Sequence, residues 1–179
     1  GDGRSDLIGY RDGNDRSWRV CLSGATAADT RCATWPQGPH NNNAKLADLD
    51  GDGKTDLFSS GIDGVDVVNS RRYACLATGS GWTDCGYWTL TDTSTAQPIS
   101  TSSNDEVTGD FNGDGRIDLA IHDNGQWWIC LSTGAQSTGF SCSLHAGPAQ
   151  GPKGGSPAVV VADFDGDGRA DLAGYLRDG

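Results

Sequence analysis

The chain contains no methionine, and none of its apolar stretches is long enough to span a membrane. It carries 13 Lys and Arg against 24 Asp and Glu, and the few basic residues form no stripe, so a nucleic-acid partner is excluded. No Asn-x-Ser/Thr sequon occurs, so N-glycosylation is not expected. The three histidines, His40, His122 and His145, fall in different loops or strands, with no HExxH, nucleophile elbow or Cys/His pattern around them. Catalysis therefore has no motif to rest on, and the chain is read as a non-enzyme. No export signal opens the sequence; its first residues already lie inside a motif, so such a signal would stand upstream.

Glycine is abundant, with 27 residues, and it recurs beside aspartate in a fixed pattern. Asp48-Leu49-Asp50-Gly51-Asp52-Gly53-Lys54-Thr55-Asp56-Leu57 returns as Asp110-Phe111-Asn112-Gly113-Asp114-Gly115-Arg116-Ile117-Asp118-Leu119, and again as Asp163-Phe164-Asp165-Gly166-Asp167-Gly168-Arg169-Ala170-Asp171-Leu172. Side-chain oxygens at positions 1, 3, 5 and 9, with a backbone carbonyl expected at position 7 (Lys54, Arg116, Arg169), can surround one hard cation such as Ca2+. Glycine at position 6 permits the sharp turn. An EF-hand would need a Glu at position 12, where Ser59, Ile121 and Gly174 stand instead, and helices on both sides. The flanks here are short apolar runs such as Ala158 to Ala162, which read as strands. A fourth copy, Gly1 to Leu7, carries only the later positions of the loop.

The Gly-Asp-Gly cores begin at Gly1, Gly51, Gly113 and Gly166, a period that indicates stacked supersecondary units within one repeat domain spanning 1–179. Each unit runs loop, strand, Asp-Gly or Asn-Gly turn (Asp12-Gly13, Asp63-Gly64, Asn124-Gly125), Cys-Leu strand, Gly-rich turn, second Cys strand. With the apolar strand before the next loop, this predicts an all-β fold of tandem four-stranded antiparallel meanders, like propeller blades. The loop pattern at this period resembles the FG-GAP/VCBS-like repeats of integrin-type β-propellers. The resemblance implies structural calcium held by Asp48, Asp50, Asp52 and Asp56, by Asp110, Asn112, Asp114 and Asp118, and by Asp163, Asp165, Asp167 and Asp171. It also implies roles in extracellular adhesion, glycan binding or scaffolding within larger secreted proteins and toxins. No Phe-Gly…Gly-Ala-Pro signature is present, so integrin-like ligand recognition does not follow. Closed propellers have roughly 4 to 8 blades, so three repeats and a part-repeat are expected to belong to a longer array or to pair head-to-tail with another copy into a ring or filament.

The formal net charge is −11, and the three complete loops hold as many carboxylates. Three calcium ions would cancel about half of that charge, whereas without them each loop crowds like charges together. Six cysteines fall as Cys21/Cys32, Cys75/Cys85 and Cys130/Cys142, one pair per repeat. Zinc is the competing reading, but the spacing is far wider than Cys-x2-4-Cys, which favours disulfides. Each bridge across so short a loop is worth about 3 kcal/mol in the chain-entropy model. Disulfides imply an oxidising, extracellular setting.

Three loops are expected on one rim, where binding usually resides: Pro36 to Asn43, the hydroxyl-rich Thr89 to Ser103, and Gly147 to Pro157. Alternation places Trp18, Val20 and Leu22, and equally Trp127, Ile129 and Leu131, on a face that packs between blades. Trp128 then points the other way, toward a sugar or over the neighbouring disulfide. The expected role is a secreted, calcium-stabilised structural or adhesive module, with a glycan-binding module or a scaffold domain of a larger secreted toxin or hydrolase as alternatives.

Overall fold

The structure, a computed structural model, describes residues 3–11, 17–36, 38, 44–59, 70–101, 106–147 and 159–174. Among the described residues the fold is all-β apart from one 3-10 turn at Ala27–Asp29. Strands β1 (Leu7–Arg11), β2 (Ser17–Leu22) and β3 (Arg31–Trp35) form an antiparallel sheet in sequence order. Two full four-stranded meanders follow: β4 (Lys45–Ala47), β5 (Asp56–Ser59), β6 (Arg71–Ala77) and β7 (Trp82–Asp92), then β8 (Glu106–Gly109), β9 (Asp118–Asp123), β10 (Gln126–Ser132) and β11 (Phe140–His145). The last described hairpin pairs β12 (Val159–Ala162) with β13 (Asp171–Gly174). The aspartate loops join β4 to β5, β8 to β9 and β12 to β13, so each links the first two strands of a blade.

Local chemistry explains these elements. Asn124 and Gly125 both take positive φ, 50° and 79°, giving the tight β9–β10 turn that the Asn-Gly pair announces. The Asp12-Gly13 and Asp63-Gly64 turns lie outside the described residues, as do most of the 36–43 and 147–157 loops. The hydroxyl-rich 89–103 segment is not simply a surface loop. Its first residues extend β7 to Asp92, Thr91 bridges back to Pro98, and Leu90, Ile99 and Thr101 are buried. Three apolar or compact residues spaced among hydroxyls suffice to draw the segment onto the core. The overrun of β7 also creates a parallel contact, Leu90 to Asp92 against Phe140 to Cys142, which joins the two meanders into one eight-stranded sheet.

Side chains alternate between the two faces of each blade. Phe58, Ala74 and Leu76 point toward the following blade, where they bury Ala47 and Leu49 together with Leu119, Ile121 and Phe140. Trp18 and Val20 pack in the same manner on Leu57 and Ala77, and Ala120, Trp127 and Ile129 on Val159 and Leu172. The expected packing face is therefore the interface between successive repeats. Trp128 points oppositely, half-buried against the cluster that contains Cys130 and Cys142. The three cysteine pairs are bonded: Cys21–Cys32 and Cys130–Cys142 link residues directly opposite in register, and Cys75–Cys85 lies where the β6–β7 register shifts.

One interface contains a buried ionic group that no motif announces. Arg72 takes the strand position that Trp127 takes in the next blade, and its Nε donates to Glu106 at 2.8 Å while Lys45 lies 3.1 Å from the same carboxylate. Burial alone would raise the Glu106 pKa, but Arg72 and Lys45 together hold it below its ordinary value.

Truncation of the interface should be costly at its centre and harmless at its edge. Leu49→Ala, at a side chain with no exposure, is expected to lower unfolding free energy by about 3 kcal/mol. Leu7→Ala, at a side chain 71% exposed, should change it by less than about 0.5 kcal/mol. Urea denaturation of both variants checks the contrast.

Candidate metal centre

In each complete loop the first aspartate gathers backbone N–H groups from the residues that follow. Asp48 accepts from Gly51 and Gly53 at 2.8 Å, Asp110 from Gly113 at 2.7 Å and Gly115 at 2.8 Å, and Asp163 from Gly166 at 2.7 Å and Gly168 at 3.0 Å. The position 3 and 5 side chains accept in turn from N–H groups two residues on, at Asp52 and Lys54, Asp114 and Arg116, and Asp167 and Arg169. Glycines at positions 4 and 6 with φ near +80° let the backbone curl this tightly. The result is a ring of N–H groups holding carboxylates in a common orientation.

The ninth residue does something different. Asp56 accepts from Leu49 N at 2.8 Å and from Ala77 N at 2.7 Å, so one carboxylate ties its own loop to the end of β6. Asp118 repeats this with Phe111 N at 3.0 Å and Ser132 N at 2.7 Å. Asp6 accepts from Ser23 N at 2.8 Å, and Asp171 from Phe164 N at 3.0 Å. Asp56 and Asp118 have no solvent exposure. The strand-end donor stands two after a cysteine in each case (Ser23, Ala77, Ser132), a periodicity present in the sequence that the loop pattern overshadowed.

These acids form groups of the kind a cation needs. One oxygen each from Asp48, Asp50 and Asp56 lies within 4.8 Å of the others, and Asp163, Asp165 and Asp171 form a second such group. In the second loop position 3 is Asn112, whose amide donates to Asp114 at 2.8 Å. Asp52 and Asp114 are each paired with the basic side chain two residues on, Lys54 and Arg116, so these position 7 residues bring a side-chain cation to the loop. All candidate ligands are oxygens, the donor set of a hard divalent ion.

The electrostatics agree with that donor set. Burial, with help from Asp50 and Asp48, pushes the Asp56 pKa up to about 7 despite its two N–H donors, and burial pushes Asp118 to about 6. Burial also raises Asp50, while the Lys54 side chain holds Asp52 low. Raised carboxylate pKa values mark sites where negative charge lacks a counter-charge.

The loops also stack on one another. Ile117 N donates to Asp48 O and Ala170 N to Asp110 O, both at 2.7 Å, so position 8 of each loop bonds position 1 of the loop before it. Ser132 Oγ donates to Leu49 O at 2.5 Å and Arg116 Nε to Ser132 O at 3.0 Å, fastening the same contact.

Comparison with known proteins bears on this arrangement. Residues 110–174, from position 1 of the second loop to the end of β13, match the family model of the FG-GAP-like repeat. An FG-GAP-like repeat occupies this segment. No curated protein matches the chain. Among solved structures, the pore form of the Photorhabdus luminescens Tc holotoxin is similar, with a TM-score of 0.53 at 19% identity, covering 98% of this chain and 8% of the toxin chain. At that identity the likeness is one of fold. The match to the FG-GAP-like repeat is thus confined to residues 110–174, and the chain spans about 8% of the toxin chain's length.

Of the other residues singled out in the sequence, Trp128 is packed against the core, and His122 is half-buried, tilted on Trp127 at 5.1 Å between ring centres, with its Nε2 buried and unpartnered. His145 is exposed and pairs with Ser143. His40 lies outside the described residues.

The pH dependence of the metal-free protein follows from Asp56 and Asp118. A carboxyl group with a folded pKa above its unfolded value stabilises the fold fully below the unfolded value, and that contribution is lost as pH rises through the folded one. In chelator, thermal stability should therefore fall between about pH 4 and pH 7. Glu106 and Asp52, whose pKa values are lowered, act only at more acid pH. Melting curves at pH 5 and pH 8 in EDTA should show the higher transition at pH 5.

Proposed function

We propose that the chain is a calcium-stabilised structural module of an extracellular protein, serving adhesion or scaffolding by presenting a rigid stack of blades. The observation that carries this reading is the convergence of Asp48, Asp50 and Asp56, and of Asp163, Asp165 and Asp171, into three-oxygen groups at matching places in the first and third complete loops. The first site would be completed by Asp52 and the Lys54 carbonyl, and the last by Asp167 and the Arg169 carbonyl. Asp110, Asn112, Asp114, Asp118 and the Arg116 carbonyl would hold the middle ion. A bound ion supplies the counter-charge that lets buried carboxylates stay ionised; it has no catalytic part in this reading.

Three disulfides support an oxidising location, where millimolar calcium suits loops without a bidentate glutamate. Among the described residues no helix is long and apolar enough to cross a membrane. The blade faces at either end of the described array carry exposed apolar side chains, Leu7 at 71% and Phe164 at 58%, through which further repeats of the same protein or another copy would stack head-to-tail. The glycan-binding alternative rests on the loop rim, most of which lies outside the described residues, and on Trp128, whose packing against the core favours the structural role.

Calcium titration tests the proposal. At a hundredfold excess over its dissociation constant, each ion should add about 2.7 kcal/mol of stability, read as a large rise in melting temperature over EGTA under non-reducing conditions. Asp163→Asn with Asp165→Asn should lower the calcium stoichiometry by one. Equal melting in calcium and EGTA would contradict the reading.

A further inference from the structure

The contacts that recur from blade to blade do not distinguish one interface from the next. Each disulfide lies within a blade. The backbone bond between successive loops is the same where Ile117 N donates to Asp48 O and where Ala170 N donates to Asp110 O. Apolar faces of similar volume are exchangeable at small cost, and pairing of the wrong units is a characteristic failure of repeat proteins. What does differ between interfaces is a small set of side chains at the end of the blades away from the loops.

The set is defined by position. Three residues before the first cysteine of each blade stand Trp18, Arg72 and Trp127, and four residues before each complete loop stand Ala44, Glu106 and Val159. Each member of the first series meets its counterpart on the following blade. Trp18 lies in the cluster that Ala44 borders, Trp127 packs with Val159 and Val107, and Arg72 donates through Nε to Glu106. Val107 holds the strand place that Lys45 holds one blade earlier, and Lys45 Nζ lies 3.1 Å from the Glu106 carboxylate and donates to the Glu106 carbonyl at 3.0 Å. Two interfaces therefore pair tryptophan with a small apolar residue, and the one between them pairs two cations with a carboxylate. The tryptophan kind has its own cover. A Cβ added at Gly38 would stand 3.1 Å from Trp18 Cδ1, and one at Gly147 would stand 2.5 Å from Trp127 Cδ1. The corresponding stretch of the second blade, Tyr87 to Thr108, has no glycine.

Stability alone does not account for the ionic set. The Arg72 and Glu106 side chains are each 1% exposed. Arg72 Nη1 bonds Arg71 O, but its Nη2 is buried with no partner among the described residues. Replacing a buried ion set by apolar side chains of similar volume is often neutral or stabilising, whereas removing one member leaves an uncompensated buried charge. The larger consequence of the set is therefore selective. Ala44 or Val159 placed opposite Arg72 and Lys45 would leave two cations unpaired, and Glu106 placed opposite Trp127 and Val107 would leave a carboxylate unpaired. We infer that Lys45, Arg72 and Glu106 determine which blades join: the following face of the second blade accepts a blade that brings a carboxylate to the place of Glu106 and refuses the apolar faces of the other interfaces. Blades of one chain, and of neighbouring copies, then assemble in one order. This selection does not depend on metal at the aspartate loops.

The test uses the whole chain with its disulfides intact, in one buffer throughout. Glu106→Leu removes the carboxylate alone, and the triple variant Lys45→Met, Arg72→Met, Glu106→Leu replaces the whole set by apolar side chains of similar volume. Glu106→Leu should lower the urea midpoint by about 1 M or more, or prevent folding, while the triple variant should return to within about 0.3 M of the native midpoint or exceed it. After dilution from urea at equal protein concentration, the native chain should regain its starting size distribution in light scattering. The triple variant should give on the order of tenfold more oversized particles despite its restored midpoint, since its second blade no longer discriminates among faces. A triple variant that refolds as cleanly as the native chain would overturn the inference, because the ionic set would then select nothing. A triple variant that stays as unstable as Glu106→Leu, or does not fold, would overturn it by making the set a plain stabilising contact. An unchanged midpoint in Glu106→Leu would also overturn it, by showing that the joint does not require the carboxylate. None of these outcomes bears on the calcium-dependent melting that tests the proposed function.

Discussion

The architecture hangs on one buried carboxylate in each of the two complete blades. Asp56 and Asp118 each accept two backbone N–H groups, one from their own loop and one from the far end of the Cys-bearing strand, with no solvent exposure of their own. Replacing such a group by an apolar one would leave two buried N–H donors unpaired, a cost of about 1–3 kcal/mol each. Because the same aspartate begins the second strand of its blade, the loop, the strand and the hairpin beyond it are positioned together. The following leucine then enters the interface already oriented, which is why Leu57 and Leu119 are almost fully buried.

From that clamp the repeat propagates. Each loop bonds the one before it through a backbone N–H at position 8, so blades stack in register rather than merely touching. Apolar burial then locks the stack: three clusters lie between successive repeats, and the largest is formed by residues of the two complete blades. Negative charge opposes this order. The carboxylates that shape the loops are drawn into low-dielectric surroundings, and burial raises the pKa values of Asp56 and Asp118. Lys54 and Arg116 offset part of the negative charge at position 5, and a divalent cation would offset the rest.

Much of this was legible because it is local and repeated. The loops, the strand order, the Asn124-Gly125 turn and the pairing of cysteines within each repeat depend on short spacings that recur, so each copy checks the others. The parts that escaped depend on distance or on context. Arg72 and Glu106 are 34 residues apart and sit in strands where charge reads as solvent-facing, yet they form a buried ion pair. The 89–103 stretch reads as a surface loop from its hydroxyls, but Leu90 and Ile99 decide its path. The ninth aspartate was assigned to the cation by the loop pattern alone; its bond to the strand end needed the third dimension. The parallel contact of β7 with β11 had no local signature.

The most direct test of the account is amide hydrogen exchange at Ala77 and Ser132, the two strand-end donors to Asp56 and Asp118. The account predicts that both amides are among the best protected in the chain when calcium is present, and that both lose protection together in EGTA while the disulfides remain intact. Exchange at these amides that is fast in calcium, or slow and unchanged by its removal, would contradict the claim that a cation-supported buried carboxylate organises each repeat.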